Sequence, residues 1–195
     1  PRPSGSELAI CAVSAIMAQT TITEKEKNGM DIFDILGPVM VGPSSSHTAG
    51  AARIGAMART LLGEEVADAK LHLYGSFAET GKGHGTDRAL VAGLLGMKPD
   101  DLRIPNAFEE AKKAGLRYTI DEIDLRDAHP NTAVLELTGK GGRALTVQAS
   151  SLGGGRIMVN KLDGIEVNFT GESNTLVVRN QDELGSVAAV TSILN

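Results

Sequence analysis

The period of the hydrophobic pattern changes near residue 116, and that change limits the folds open to the chain. Before it, apolar residues recur at helical spacing. Ile54, Met57, Ala58, Leu61 and Leu62 share one face of a helix predicted over 48–62 and stopped by Gly63. TDRALVAGLLG (86–96) and PNAFEEAKKAG (105–115) predict two more, the latter capped by Asn106 and ended by Gly115. One strand, AKLHLYGSF (69–77), lies among them, and DIFDILG (31–37) reads as a short amphipathic turn of helix. After residue 116 the period is two. LRYTIDEI, TAVLELTG, RALTVQASSL and RIMVNKLDGIEVNF predict four strands parted by glycine and charged turns. Strands that follow helices without regular alternation point to an α+β layer, with a mixed or antiparallel sheet and packed helices over 30–170.

Gly50, Ala51, Gly55 and Ala56 make one flank of the first helix small, so another backbone can approach it closely. Beyond the linker-like GESN (171–174), TLVVRNQDELGSVAAVTSILN predicts a strand, a loop holding Asp182 and Gly185, and the start of a helix. So short a βα unit cannot bury a core of its own, since chains below about 40 residues rarely fold unaided. Residues 175–195 are therefore expected to be an incomplete second domain, and ACT-type regulatory modules begin with this strand, Asp-x-x-Gly loop and helix.

The first 29 residues stand apart. LAICAVSAIMA (8–18) is an apolar run too short to span a bilayer; it resembles a signal-peptide core and also suits a buried or interfacial helix. The expectation adopted is that the native chain starts near Met30, because Lys25-Glu26 can be encoded by a ribosome-binding sequence, and that residues 1–29 are a leader or extension.

Composition narrows the function. A net charge of −5 and an aromatic content of 3% with no tryptophan argue against a nucleic-acid binder. Membrane surfaces are disfavoured by the same charge. One cysteine, Cys11, excludes a disulfide framework and points to the reducing cytoplasm. It also excludes an iron–sulfur cluster held by this chain alone, which needs three or four thiolates. A small-molecule protein remains.

Three polar clusters carry candidate chemistry. Ser44, Ser45, Ser46, His47 and Thr48 stand at the start of a helix, where free N–H groups and the helix dipole favour a carboxylate or phosphate. An N-cap would need only one of them. TGKGHGTD (80–87) fails as a phosphate loop, because Lys82 is followed by glycine and the glycine spacing is one residue too long. It remains a glycine-hinged loop presenting Lys82, His84, Thr86 and Asp87, unless Thr86 or Asp87 merely caps the next helix and Lys82 is merely solvated. HPNT (129–132) offers His129 and Asn131 to a ligand or to its own turn. His72, mid-strand, reads as structural. A zinc site from His47, His84 and His129 has irregular spacing and no short-range ligand pair. A Ser–His–Asp hydrolase lacks its nucleophile elbow.

FDILGPVMVGPSSSHTAGAARIGAMA, GSFAETGKGHGTDRALVAGLLG and HPNT together resemble the β subunit of bacterial iron–sulfur L-serine dehydratases, from about Asp31 to Asn195. The resemblance implies an allosteric-substrate-binding-type domain followed by the start of an ACT-like module. It implies deamination of L-serine to pyruvate and ammonia, with a [4Fe–4S] cluster carried by a partner α subunit. The SSSHT loop would face that subunit's site. On this reading His47, Ser46 and Thr48 are catalytic, with His47 accepting the α-proton. Ser44, Ser45, Lys82, His84, Thr86, Asp87, His129 and Asn131 are expected to bind or surround substrate. The other reading is a non-catalytic module that senses an amino acid for the same enzyme. Homodimerisation is kept open.

Overall fold

The computed structural model describes residues 9–13, 38–179 and 184–194. DIFDILG, Asp182 and most of the N-terminal extension lie outside the described residues. A short strand β1 (Ala9–Val13) comes first. The main body follows as α1 (Ala51–Leu62), β2 (Val66–Tyr74), α2 (Ser76–His84), α3 (Thr86–Leu94), α4 (Ala107–Ala114), β3 (Arg117–Glu122), β4 (Thr132–Gly139), β5 (Ala144–Gly153), β6 (Arg156–Leu162) and β7 (Ile165–Phe169).

The sheet order is β3-β2-β4-β5-β6-β7. Only β2 and β3 run parallel, and the remaining neighbours are antiparallel. A parallel pair needs a long crossover, and α2, α3 and α4 supply it between β2 and β3. This is the mixed sheet with packed helices that the pattern predicts.

Alternation along the strands decides which face is covered. Ala69, Leu71 and Leu73 of β2, Leu135 and Leu137 of β4, and Val147 and Ala149 of β5 are buried. They form one apolar core with Ile54, Leu61 and Leu62 of α1, Leu90, Val91 and Leu94 of α3, and Ala107 and Ala111 of α4. Burial of this continuous layer is the main stabilising term. Lys70, His72 and Glu136 lie on the opposite, open face.

The small flank of α1 does what its composition predicts. A β-carbon on Gly55 would stand 3.0 Å from Gly93 Cα, and one on Gly93 would stand 2.9 Å from Gly55 Cα. The α1 and α3 backbones therefore touch, an approach only glycine allows. Gly63 and Gly115 take left-handed conformations and end α1 and α4 as expected. Asn106 occupies the cap position of α4 without a side-chain capping bond.

Several boundaries differ from the sequence reading. RIMVNKLDGIEVNF is two strands, β6 and β7, because Asp163 (φ 47°) and Gly164 (φ 80°) form a two-residue hairpin turn between them. The first strand ends at Tyr74 rather than Phe77. Residues 80–84, expected as a hinged loop, are the last turns of α2, closed by Gly85 in a left-handed conformation. Helical hydrogen bonding and the burial of Phe77 override the two glycines there.

A second, two-stranded sheet pairs β1 antiparallel to β8 (Thr175–Arg179), with Ala9 opposite Arg179 and Val13 opposite Thr175. Residues 9–13 are thus strand and not helix, paired along one edge with β8. Helix α5 (Ser186–Leu194) follows.

Candidate functional site

The serine loop opens as an N-cap. Ser44 is extended, and its hydroxyl accepts a hydrogen bond from His47 N (3.1 Å). Residues Ser45–Gly50 then form a π-helical turn, with Thr48 N and Ala49 N both donating to Ser44 O before α1 begins. Such turns carry an extra residue and recur at functional sites. Here the turn directs His47 and Thr48 inward, and both are buried. Gly50, at its end, lies directly against Ser151 of β5.

His47 is held from two sides. Its Nδ1 lies 3.3 Å from Ser44 Oγ, and its Nε2 lies 3.1 Å from Ser76 Oγ and 3.3 Å from Ser76 O. Phe77 meets the ring edge-on at 5.3 Å, and the His84 ring lies 5.1 Å away. Burial pushes the His47 pKa below its usual value; the Ser76 bond raises it, and the charge of a protonated His84 lowers it further. Burial thus favours the neutral form of the His47 imidazole.

The other expected residues divide. Thr48 Oγ1 donates to His84 O (3.1 Å), tying the π-helical turn to the end of α2. Ser45 and Ser46 are half-buried, with Ser46 Oγ 3.5 Å from Ser44 Oγ. Lys82 belongs to α2, and its side chain lies outside the described residues. Thr86 is fully buried beneath α2, and its hydroxyl has no partner among the described residues. Asp87 accepts from Arg88 N (2.8 Å) at the start of α3. A hollow of about 180 Å³ beside His84 is lined by Gly42, Pro43, Thr48, Arg88 and Ile104, a size suited to a small metabolite.

HPNT reaches this site through its backbone. Pro130 packs against Gly75, and Phe77 N donates to Pro130 O. The loop thereby braces the start of α2. The His129 ring accepts from Asn131 N (3.1 Å), and it faces another hollow, of about 790 Å³, with Arg126, Gln148, Asn160, Lys161 and Glu166 on the open side of the sheet. The three clusters thus meet, but the three histidines do not. No group of three metal-binding side chains comes together among the described residues. His72 is elsewhere again, bonded to Asp121 and 3.6 Å from Glu136 on the open face.

Ser76 is the site residue that the sequence reading missed. Its signal was the glycine before it: Gly75 takes a positive φ (55°) that positions a helix start beside His47.

The family profile for the serine dehydratase beta chain matches residues 30–128. The chain belongs to that family. The matched stretch contains Ser44–Thr48, Ser76 and His84, while His129 and Asn131 fall just past it. Over 163 residues the chain is 44% identical to "L-serine dehydratase, beta chain" of Peptoniphilus asaccharolyticus, covering 83% of this chain and 73% of that one. The same identity holds for "Probable L-serine dehydratase, beta chain" of Bacillus subtilis, over 84% of this chain and 74% of the relative. "L-serine dehydratase 2" of Escherichia coli is 42% identical over 95 residues, which are 44% of this chain but only 20% of that protein. Among the described residues, no helix of this family member is long and apolar enough to cross a membrane.

Proposed function

We propose that this chain is the cytoplasmic β subunit of an L-serine dehydratase, a lyase converting L-serine to pyruvate and ammonia together with a partner α subunit that carries a [4Fe–4S] cluster. The names of the relatives support the substrate and the need for a second chain. The Escherichia coli relative adds to this, since there the matched residues are a small part of a much longer polypeptide.

The donors of this chain do not fit such a cluster. It has one cysteine, against the three or four thiolates required, and no three metal-binding side chains converge among the described residues. On this reading the cluster belongs to the partner.

One observation carries the catalytic reading: His47 is buried and fixed between Ser44 and Ser76, and that burial favours its neutral form. A neutral imidazole can accept the α-proton of serine near pH 7. Loss of that proton and of the β-hydroxyl gives an enamine, which tautomerises and hydrolyses to pyruvate and ammonia. On this reading the half-buried hydroxyls of Ser45 and Ser46, with Ser44 as the cap beside them, orient the substrate carboxylate. His84 stands at the mouth of the adjoining hollow. The strand and helix at 175–194 are read as the start of an ACT-like unit.

The test is reconstitution of His47→Ala with the partner subunit, following turnover, cluster content and assembly together. The proposal expects a fall in saturated turnover of at least about 100-fold, with cluster and assembly intact. Unchanged saturated turnover, with only the serine dependence altered, would instead make the chain a sensing module.

A further inference from the structure

The proton on His47 has two places to go, and its surroundings choose between them. Beside Nε2 lie two oxygens of one residue, Ser76 Oγ at 3.1 Å and Ser76 O at 3.3 Å. A carbonyl oxygen can only accept, so it favours a protonated Nε2 and repels a lone pair there. Beside Nδ1 lies Ser44 Oγ (3.3 Å), a hydroxyl that accepts from His47 N, lies 3.5 Å from Ser46 Oγ and can either donate or accept, so it suits both tautomers and leaves the choice to Ser76. We infer that Ser76 is a positioning residue for His47: its two oxygens hold the Nε2–H tautomer and leave the Nδ1 lone pair as the basic site. The inference rests on the catalytic reading of His47.

The fold builds this contact deliberately. Gly75 joins β2 to α2 with φ 55° and ψ −127°, and a β-carbon there would stand 2.7 Å from Pro130 O. No other residue fits that joint, and the joint sets where Ser76 begins the helix. Thr80 Oγ1 donates to the Ser76 carbonyl (2.7 Å), a second bond that fixes the oxygen's position. Phe77, the next residue, packs edge-on against the same imidazole. Among the described groups packed on the ring, Ser44, Ser76 and Phe77 do not titrate near neutrality, and His84 is the titratable neighbour.

Such an arrangement is a second support for a basic imidazole, of the kind that sets which nitrogen is reactive. It acts through His47 and needs no contact between Ser76 and the substrate.

The decisive measurement is the ¹⁵N spectrum of histidine-labelled full chain, read for the two nitrogens of His47. The wild type should show Nε2 protonated and Nδ1 bare. Ser76→Ala keeps the carbonyl and loses the hydroxyl, so the proton should stay mainly on Nε2 while both signals shift toward averaged values in part, and Ser76→Thr should restore them. In the reconstituted enzyme, Ser76→Ala should lower kcat about tenfold while KM stays within about twofold. The acidic limb of the kcat profile should move only slightly to lower pH, because one of two acceptors on the Nε2 proton is lost and the Ser76 carbonyl remains.

A wild-type spectrum with the proton on Nδ1 overturns the inference without any variant having to fold. Ser76→Ala keeps the carbonyl and removes only the hydroxyl, so an unchanged spectrum in that folded chain overturns the hydroxyl's share in the hold. Either result leaves the His47→Ala experiment to judge the catalytic reading separately.

Discussion

Replacing Gly93 by alanine tests the contact on which the helical layer is built. A β-carbon at Gly93 would stand 2.7 Å from Ala56 N and 2.9 Å from Gly55 Cα, and closer still to Ala52 O. All three are backbone atoms of α1, so no rotamer change can relieve them. In an unpacked helix the substitution would stabilise by about 1 kcal/mol. Overpacking against a rigid neighbour costs about 1–3 kcal/mol, and backbone on the far side places this case at the upper end, for a net loss of about 2 kcal/mol. In a chain of this size that lowers the melting temperature by about 4–8 °C. Gly83 is the control, because it is helical and nothing lies within 4 Å of an added β-carbon. There alanine should gain the propensity alone and raise the melting temperature by a few degrees. Thermal melts followed by circular dichroism compare the two variants directly. A Gly93→Ala chain that melts at or above the wild-type temperature would refute the close crossing of α1 and α3.

Two further outcomes concern protons. Burial holds the folded His47 pKa below its usual value of about 6.5, so on acidification the unfolded chain takes up this proton before the native one. The stability His47 contributes is thus complete above about pH 6.5 and is lost as pH falls toward the folded value; His47→Gln should flatten that part of a plot of melting temperature against pH between 7.5 and 5. Asp101 is held at about 2 by the side-chain bond from Arg103 and by Arg103 N, so Arg103→Gln should return much of its titration toward 3.8 in a carboxyl NMR experiment. Its contribution is present above the ordinary carboxylate range and disappears as pH falls toward 2; an unmoved titration in the variant would mean that the Arg103 side chain does not set it.

The fold was legible wherever one period dominated a segment. The helices over 51–62 and 86–94 and the strand over 132–139 obey their periods because each buries a single face. The errors arose where a local signal competed with a tertiary one. Gly81 and Gly83 read as loop, yet the burial of Phe77 keeps the segment helical. Asp163-Gly164 is a strong hairpin signal by itself, but the apolar run on either side hid it inside one long strand.

The site was legible in its residue types and not in its partners. Three serines beside a histidine exceed what a helix cap needs, and one of them, Ser44, is nonetheless the cap. What sequence spacing could not show is that His47 finds its second support 29 positions later, at the first residue of α2. That pairing depends on Gly75 turning the chain against Pro130, which lies 55 residues further along and on another loop. HPNT therefore bears on the site in a way its side chains do not reveal. Its histidine faces a different hollow, while its proline backbone sets the angle at which Ser76 meets the imidazole. A substitution in that loop that preserves the fold but shifts Pro130 should disturb His47 more than one that removes the His129 ring, because the force passes through backbone packing and not through the ring.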